Sequence, residues 1–433
     1  MRLKEIHLTN FRCFEQLDVQ LNDRLAVFLG VNGAGKTAIL EAINAFYSEY
    51  YVANFFRNGD VRENENRHND MFLRNMKIGH KECFMSMDIE FNSANTINWN
   101  LQFSFPDHGG YGYFPNPEAI NKWRLKFLRE SEKNPSISLP LFAFYKSEKS
   151  EEFYEKNFTR GNVKLKQLLA LKNVFRNDED SFNNFLNWFD GETNYENSIR
   201  LEKNSEYRHP TLQILRRSIA DFLAKLNDSS FKNLRIKKVR NSDFDPFKNS
   251  LIITKDDLDI DVNQLSAGEK SVILFIADLA MRLTIANPSL ENPLEGEGVV
   301  LIDEIDLHLH PQWQRNILPA LLKTFPKCQF IVTTHSPLVI SNVARESVFI
   351  LDNGKLVKNT PHTLGRDYAS ILYNVFGVEE RPTEYQKKLD TCFRLIENEQ
   401  YSEAKILLKK LSEELGEDDI DIIRANVILD MEA

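Results

Sequence analysis

Gly30-Val31-Asn32-Gly33-Ala34-Gly35-Lys36-Thr37 is the stretch of this sequence that decides the fold. It has the pattern G-x-x-x-x-G-K-T. The apolar run Arg24 to Leu29 before it predicts a buried strand, and Ile39 to Tyr47 after it continues as a helix. Strand, loop and helix in this order are the context that a phosphate-binding loop requires. A Gly-rich turn without function would not explain the elements on either side.

Each residue type in this loop has an expected task. Backbone N–H groups, including that of Asn32, and the helix N-terminus point at the β-phosphate of a nucleotide. Gly33 and Gly35 permit the backbone angles and the close approach. Lys36 is expected to reach the β- and γ-phosphate oxygens, and Thr37 to offer a hydroxyl to Mg²⁺. The loop therefore predicts ATP and Mg²⁺ as cofactors.

A second segment, Leu265-Ser266-Ala267-Gly268-Glu269-Lys270-Ser271, predicts the start of a helix. Ser266 suits the N-cap, and Glu269 three residues later completes a capping box. A helix N-terminus also attracts phosphate. Ser266 and Gly268 are therefore expected to bind a nucleotide, that of another copy of the chain.

Two apolar runs near the end of the sequence finish in residues that suit phosphate chemistry. Val299 to Ile302 is followed by Asp303, expected to hold Mg²⁺ directly or through water, and by Glu304, expected to activate the attacking water. His335 comes just after the next run and is placed to contact the γ-phosphate. The alternative for His335 is a loop histidine with local hydrogen bonds.

Two other polar groups have ordinary explanations. The histidines of Asp306 to Pro311 could bind a metal, but a segment that directly follows Asp303 and Glu304 is better explained as a loop that crosses a dimer interface. A basic strip could face a phosphate backbone. A solvated strand face explains it more simply; its members are Arg235, Lys237, Lys238 and Arg240.

Elsewhere, periodicity predicts the elements. Apolar residues alternate from Met85 to Phe91 and onward from Ile97, which predicts an antiparallel hairpin, and Leu139 to Tyr145 predicts a core strand. Helices are predicted at Val163 to Phe175, Ser181 to Phe189 and Leu212 to Leu226. Three short amphipathic helices are predicted from about residue 381.

Composition limits the class of protein. The chain has 433 residues, 42% hydrophobic and 27% charged, with a net charge of −9, which argues against a globally basic nucleic-acid binder but leaves room for a local basic groove. The four cysteines are scattered singly, so a zinc ribbon or disulfide framework is not expected. Val272 to Ala286 is too short and too charged to span a bilayer. A cytoplasmic protein is predicted.

The order and spacing of these motifs resemble those of the ABC-type ATPase heads of SMC, RecF-like and OLD-family proteins. Leu8-Thr9-Asn10-Phe11-Arg12 is similar to the N-terminal strand of that group, in which the Arg lies near the nucleotide. The resemblance therefore implies that Arg12 contributes to nucleotide binding. Asp303 to Pro311 and Thr334 to Pro337 resemble the OLD and RecF-like branch in particular.

The resemblance implies an α/β fold, a P-loop NTPase of ABC/SMC-head type with an inserted mainly helical lobe and a C-terminal helical tail. The expected head is 1–380, the lobe is about 50–250 between the P-loop and the second segment, and the tail is 381–433. One departure concerns the Gln that ABC heads carry in a loop after the P-loop helix, where it links the nucleotide to the helical lobe. Such a Gln cannot be placed in this sequence.

A narrower resemblance concerns the last part of the chain. Leu364 to Asp367, Phe376 to Val378 and Arg381-Pro382 look like the ATPase subunits (PtuA-type) of Septu and retron-associated anti-phage systems. This implies a regulatory ATPase whose heads join around ATP as a dimer or higher oligomer and which assembles with a separate HNH nuclease. Nucleic acid is a further candidate partner, and no membrane is expected.

Three alternatives remain open. The first is a RecF- or SMC-like DNA-binding ATPase of recombination or repair. The second is an OLD-like nuclease, for which Asp419-Ile420-Asp421 lies in a predicted helix rather than at a strand end. The third, a transporter ATPase, is disfavoured by the long middle insertion.

Overall fold

The computed structural model describes residues 1–52, 75–92, 95–104, 112–115, 118–146, 165–171, 178–226, 230–240, 248–378 and 381–431. The chain forms two compact units, Met1–Gly365 and Arg366–Ala433, which we call the head unit and the tail unit. The division lies at Gly365, before the tail boundary that the sequence suggests at residue 381.

The strands are β1 Arg2–Phe11, β2 Phe14–Gln20, β3 Leu25–Leu29, β4 Glu82–Asn92, β5 Asn95–Ser104, β6 Gly112–Pro115, β7 Leu141–Tyr145, β8 Phe231–Val239, β9 Lys248–Lys255, β10 Leu258–Asp261, β11 Gly298–Ile302, β12 Cys328–Thr334, β13 Val348–Asp352 and β14 Lys355–Leu356. The α-helices are α1 Lys36–Phe46, α2 Glu118–Lys133, α3 Asp178–Glu202, α4 Pro210–Leu226, α5 Ala267–Ala286, α6 Pro311–Thr324, α7 Pro337–Ile340, α8 Tyr368–Ile371, α9 Thr383–Glu397, α10 Tyr401–Leu415 and α11 Ile420–Met431.

The central sheet of the head unit has the strand order β14-β13-β3-β12-β11-β7. Neighbours from β13 to β7 are parallel, and β14 pairs antiparallel with β13. Every residue of β3, β11 and β12 is buried. Accordingly, β3 and β11 are continuous apolar runs in the sequence, whereas β12 also buries Gln329, Thr333 and Thr334. This confirms the α/β fold class.

One edge of this sheet collects the carboxyl ends of the five parallel strands, and the residues that follow four of them matter for the site. Gly30 follows β3, His335 follows β12, Asp303 follows β11 and Lys146 follows β7. Ligand sites of open parallel sheets lie outside this edge. The topology therefore brings the phosphate loop beside the acidic pair, although the two are far apart in the sequence.

A second sheet, of order β2-β1-β4-β5-β6, is antiparallel throughout. It confirms the predicted hairpin, which forms from β4 and β5. Its buried face joins apolar residues of β1 and β4 in register, as the pairs Leu3/Ile89, Ile6/Met87 and Leu8/Met85. A third sheet, β10-β9-β8, leads into α5.

The stretch 50–250 contributes both strands and helices. Strands β4, β5 and β7 join the two larger sheets, as predicted for Leu139 to Tyr145. Helices α3 and α4 pack against α5, and α4 also packs against α6. The described part of the predicted helix Val163 to Phe175 is a 3₁₀ helix, Lys166–Leu171, while 163–164 and 172–175 lie outside the described residues.

The tail unit contains the three predicted helices, which are α9, α10 and α11. The amphipathic pattern predicted for α11 was wrong, because Ile420, Ile423 and Val427 are exposed and the helix buries Ile422, Ala425 and Leu429 instead. One buried face of each helix forms a shared core of Leu389, Cys392, Ile396, Ala404, Leu408, Leu411, Ile422, Ala425 and Leu429. Within the described residues of either unit, no helix has the length and apolar character needed to cross a bilayer.

Candidate nucleotide site

The phosphate loop leaves β3 at Gly30 and enters α1 at Lys36. Gly33 and Gly35 have left-handed backbone angles, with φ of 80° and 105°. A Cβ on Gly35 would lie 2.4 Å from Cζ of Phe14, so the β1–β2 corner packs directly on the loop. Glycine is required here both by the backbone angle and by this close approach. Asn32 and Gly33 are exposed.

Lys36 is folded into the loop that precedes it. Its ammonium donates to the carbonyl oxygens of Gly30 at 2.9 Å and Val31 at 3.1 Å. The side chain is 6% exposed, and this burial lowers the pKa of the amine, against the opposing attraction of Asp303. A positive charge is therefore held inside the ring of loop backbone.

Thr37 and Asp303 meet, as their predicted shared role in metal binding requires. The Thr37 hydroxyl lies 3.1 and 3.2 Å from the two carboxylate oxygens of Asp303. The hydroxyl of Thr333, on β12, donates to Asp303 at 2.6 Å and accepts from the N–H of Glu304 at 2.7 Å. A hydroxyl and a carboxylate are hard oxygen ligands of the kind Mg²⁺ takes, so the donor set fits this ion.

Glu304 and His335 flank this contact. Glu304 has φ of 50°, which turns the chain sharply after β11, and its side chain is partly exposed. The backbone N–H of His335 donates to Asp306 at 3.4 Å, and the neighbouring Thr334 hydroxyl binds the same carboxylate oxygen. Burial, assisted by the charge of Lys36, lowers the pKa of His335. This shift favours the neutral imidazole.

Arg12 lies on the tight corner between β1 and β2, with φ of 49°. Its Nε donates to Asn75 at 2.6 Å, and its guanidinium forms an ion pair with Glu41 of α1. The same carboxylate accepts from Lys146 at 2.6 Å. The sequence motifs indicated Arg12, but neither Glu41 nor Lys146. The only signal for Lys146 was its place directly after a predicted core strand.

Ser266 and Gly268 lie at the N-terminus of α5, and the capping box is confirmed. The N–H of Glu269 donates to Ser266 Oγ at 3.3 Å, and the N–H of Ser266 donates to the Glu269 carboxylate at 3.1 Å. Lys255 pairs with the same carboxylate at 2.6 Å. A Cβ on Gly268 would lie 2.3 Å from the carbonyl oxygen of His308. This helix start therefore abuts the loop that follows Glu304.

The other groups that the sequence singled out have structural partners. His310 caps α6 by accepting from the N–H of Gln312 at 3.4 Å, and Arg235 pairs with Asp259. Asp419 and Asp421 are both bound by Arg381, at 2.7 and 2.9 Å. Among the described residues, no group of three or more His, Cys, Asp or Glu could hold a metal ion.

Comparison with known proteins agrees with this geometry. Residues 1–340 match the family model of the AAA ATPase domain. A protein of Escherichia coli named "Retron Ec83 probable ATPase" is 30% identical, over 98% of this chain and 85% of that relative. The "Retron Vc95 probable ATPase" of Vibrio cholerae is 29% identical over 90% and 81% of the two chains. The "Septu protein PtuA" of Bacillus thuringiensis is 24% identical over 90% and 89%.

The family model spans most of the head unit, and the Escherichia coli relative extends the similarity through the tail unit. The phosphate loop, the Thr37–Asp303 contact and the neighbouring Glu304 lie together at the carboxyl edge of the central sheet. This chain belongs to the AAA ATPase domain family, and it is an ATPase.

Proposed function

We propose that this protein is the ATP-binding and ATP-hydrolysing regulatory subunit of an anti-phage defence complex. The observation that carries the proposal is the contact of Thr37 with Asp303 beside the phosphate loop, in a chain whose relatives are named as retron ATPases and a Septu protein. ATP binding joins the heads of two or more copies, and hydrolysis releases them.

The geometry supports a division of tasks within one head. Lys36 exchanges its two carbonyl partners for phosphate oxygens, and the N–H groups of the loop, including Asn32, Gly33 and Gly35, surround the β-phosphate. Thr37 and Asp303 hold Mg²⁺, which neutralises charge on the phosphates. Arg12 adds a positive charge from the β1–β2 corner.

Hydrolysis is assigned to Glu304 and His335. Glu304 accepts a proton from the water that attacks the γ-phosphorus, while the bond from that phosphorus to the β–γ bridging oxygen breaks and ADP leaves. The turn at the backbone of Glu304 separates its carboxylate from that of Asp303. Burial lowers the pKa of His335, and its imidazole can donate a hydrogen bond to the γ-phosphate. Positioning and charge neutralisation supply most of the rate enhancement in phosphoryl transfer.

The second copy contributes the N-terminus of α5. Ser266 is exposed there, and the start of a helix attracts phosphate. Gly268 allows this helix start to pack against His308, in the loop after Glu304. A shift of the proposed contact surface would therefore move the loop that follows the hydrolytic residue. Lys255 balances the charge of Glu269 at the same point.

The regulated partner is an HNH-type nuclease, as the resemblance to Septu and retron-associated ATPases implies. The names of the relatives support a defence role for the family, and the helical tail unit offers a second surface besides the ATPase head. The complex acts in the cytoplasm.

The test is Glu304→Gln. The amide cannot accept the proton, so we expect turnover to fall about 10²- to 10⁴-fold while ATP is still bound. Light scattering after gel filtration should then show a dimer or larger assembly that persists with Mg²⁺-ATP and dissociates with ADP. The exposed Glu291 supplies the matched control, Glu291→Gln, which should behave as wild type. Wild-type turnover in Glu304→Gln would contradict the proposal.

A further inference from the structure

Lys146 stands directly after β7, at the sheet edge that carries the nucleotide site. In the parallel pair β7–β11, Tyr145 lies opposite Ile302, and the N–H of Asp303 donates to the carbonyl of Tyr145 at 2.9 Å. The next residues of the two strands, Lys146 and Asp303, therefore lie side by side. The strand register places a lysine next to the proposed Mg²⁺ ligand.

Helix α1 makes two successive contacts with this edge. Thr37 binds Asp303, and Glu41, four residues later on the same helix face, accepts from Lys146 at 2.6 Å. Residues four apart on a helix have Cβ atoms about 5–6 Å from each other. The Lys146–Glu41 pair is therefore about one helical turn from the proposed metal position, which is within the reach of a lysine side chain.

Glu41 holds two cations at once. Arg12 pairs with one carboxylate oxygen and Lys146 with the other. The side chains of Glu41 and Lys146 are 19% and 27% exposed, so water screens this pair less than a surface ion pair. One carboxylate thus retains two positive charges beside the phosphate loop. A triphosphate offers more negative charge than this carboxylate does, and the flexible stem of lysine allows the ammonium to turn.

We propose that Lys146 senses the terminal phosphate of ATP. It pairs with Glu41 when the site holds no triphosphate, and it turns to the γ-phosphate oxygens when ATP binds. This inference rests on the proposed roles of Thr37 and Asp303, which define where the γ-phosphate lies. ADP has no γ-phosphate, so Glu41 keeps the lysine when ADP is bound. Lys146 therefore determines how strongly the site prefers ATP to ADP.

The strand end that carries Lys146 also contacts α5, whose N-terminus is proposed to reach the second copy. The hydroxyl of Tyr145 donates to Asp278 at 2.8 Å, and Tyr145 packs edge-on against Phe275. Lys146 therefore lies between the proposed nucleotide position and helix α5.

The first experiment compares nucleotide affinities of the full-length chain and of Lys146→Met. Calorimetry with Mg²⁺ and either ADP or a non-hydrolysable ATP analogue reports both affinities. We expect affinity for the analogue to fall about tenfold or more, because a charge-assisted contact is lost, and affinity for ADP to stay within about twofold. Lys146→Arg keeps the charge and should retain most of the preference. The control is Lys122→Met on α2, which removes an exposed lysine.

The second variant, Glu41→Gln, separates sensing from a purely structural ion pair. If Lys146 and Glu41 only stabilise each other, both variants should change the two affinities in the same direction. If Lys146 is a sensor, Glu41→Gln releases it, so affinity for the ATP analogue should be unchanged or higher. Melting temperatures without nucleotide show how far each variant is destabilised.

Two results would overturn the inference. One is an equal change, or none, in the ATP-analogue and ADP affinities of Lys146→Met. The other is a loss of analogue affinity in Glu41→Gln as large as that in Lys146→Met. Either result can occur while Glu304→Gln still traps an assembly, in which case the proposed function stands. Conversely, if Glu304→Gln turns over normally but Lys146→Met loses its preference for ATP, the sensing role stands and the proposed hydrolytic assignment fails.

Discussion

Single residues at the site are constrained by close neighbours as well as by the phosphates. Gly35 is in contact with Phe14, and Gly268 is in contact with the carbonyl of His308. In a helix, Ala is ordinarily more favourable than Gly by about 1 kcal/mol. At Gly268 that gain is unavailable, because the added methyl group would displace the backbone of His308. The close packing of the loop after Glu304 against the start of α5 therefore requires a glycine at position 268.

The pKa values of two histidines of the head unit are shifted in opposite directions. Burial lowers the pKa of His335 below its ordinary value of 6.5, whereas the hydrogen bond with Asp18 raises the pKa of His7 above it. For His335, the unfolded chain binds more protons between the folded pKa and 6.5, so its contribution to stability is complete above 6.5 and is lost as pH falls through that interval. For His7, the contribution is complete below 6.5 and is lost as pH rises through the folded pKa.

We therefore expect the free energy of unfolding of His335→Gln to fall less than that of wild type as the pH drops below 6.5. The free energy of unfolding should be measured with urea from about pH 5 to about pH 8, without nucleotide. The difference between wild type and His335→Gln should shrink as pH falls below 6.5. His7→Gln is the opposite control, since the difference in free energy of unfolding between wild type and this variant should shrink as pH rises. This change should be small because His7 is exposed. A pH-independent difference for His335→Gln would contradict the assignment.

At the scale of elements, α5 and β7 are joined by a buried polar cluster. Arg282 Nε donates to Asp278 at 2.6 Å, and both side chains are at most 3% exposed. Arg282 also donates to the carbonyl of Ala170 at 2.9 Å, and Tyr145 donates to Asp278. The cluster makes α5 less apolar than a buried helix usually is. It also fixes the helix against the strand that precedes Lys146.

We expect Arg282→Met to destabilise the head unit by about 3–5 kcal/mol, because it leaves the Asp278 carboxylate buried without its counter-ion. Urea unfolding followed by tryptophan fluorescence measures the loss. Replacing the whole cluster by apolar side chains, as Tyr145→Phe, Asp278→Leu and Arg282→Met together, should recover most of it, since apolar replacements of buried ion pairs are often neutral. A triple variant as unstable as Arg282→Met would show that the cluster is a net source of stability.

At the scale of the whole molecule, the head unit and the tail unit have separate cores. The tail core is built from α9, α10 and α11 alone. All four tryptophans of the chain belong to the head unit, at positions 99, 123, 188 and 313. Tryptophan fluorescence therefore reports the head unit, while backbone hydrogen exchange reports both.

Leu408→Ala should destabilise the tail unit by about 2–5 kcal/mol, because Leu408 is 3% exposed in its core. We expect faster hydrogen exchange throughout α9 to α11, with unchanged exchange in β3 and α1 and an unchanged fluorescence transition. Leu201→Ala is the matched control, since Leu201 is 89% exposed. A parallel loss of protection in β3 would contradict the independence of the two cores.

Local signals in the sequence predicted a large part of the head unit. Asn353-Gly354 is a dipeptide typical of tight hairpin turns; it joins β13 to β14, and both residues have the positive φ that such a turn needs, 47° and 71°. The buried strands β3 and β11 were predicted from continuous apolar runs. The capping box of Ser266 was predicted from spacing alone. These features depend on residues within a few positions of each other, so a single sequence contains them.

Contacts between distant segments could not be predicted in this way. Nothing in the local sequence of Lys146 specifies that β7 lies beside β11, or that Glu41 of α1 reaches it. The same applies to Arg12, whose partners Asn75 and Glu41 are distant in sequence. Periodicity identifies a strand and its buried face but carries no information about its neighbours.

The sequence by itself determined the phosphate loop, the acidic pair after a buried strand and the helix start at Ser266, because each is a local pattern whose backbone geometry and chemistry reside in adjacent residues. Only the tertiary structure decided that the carboxyl ends of β3, β12, β11 and β7 form one edge, with Thr37 against Asp303 and Glu41 between Arg12 and Lys146. The physical reason is that strand order and register follow from packing the whole core, and the site is assembled by that packing.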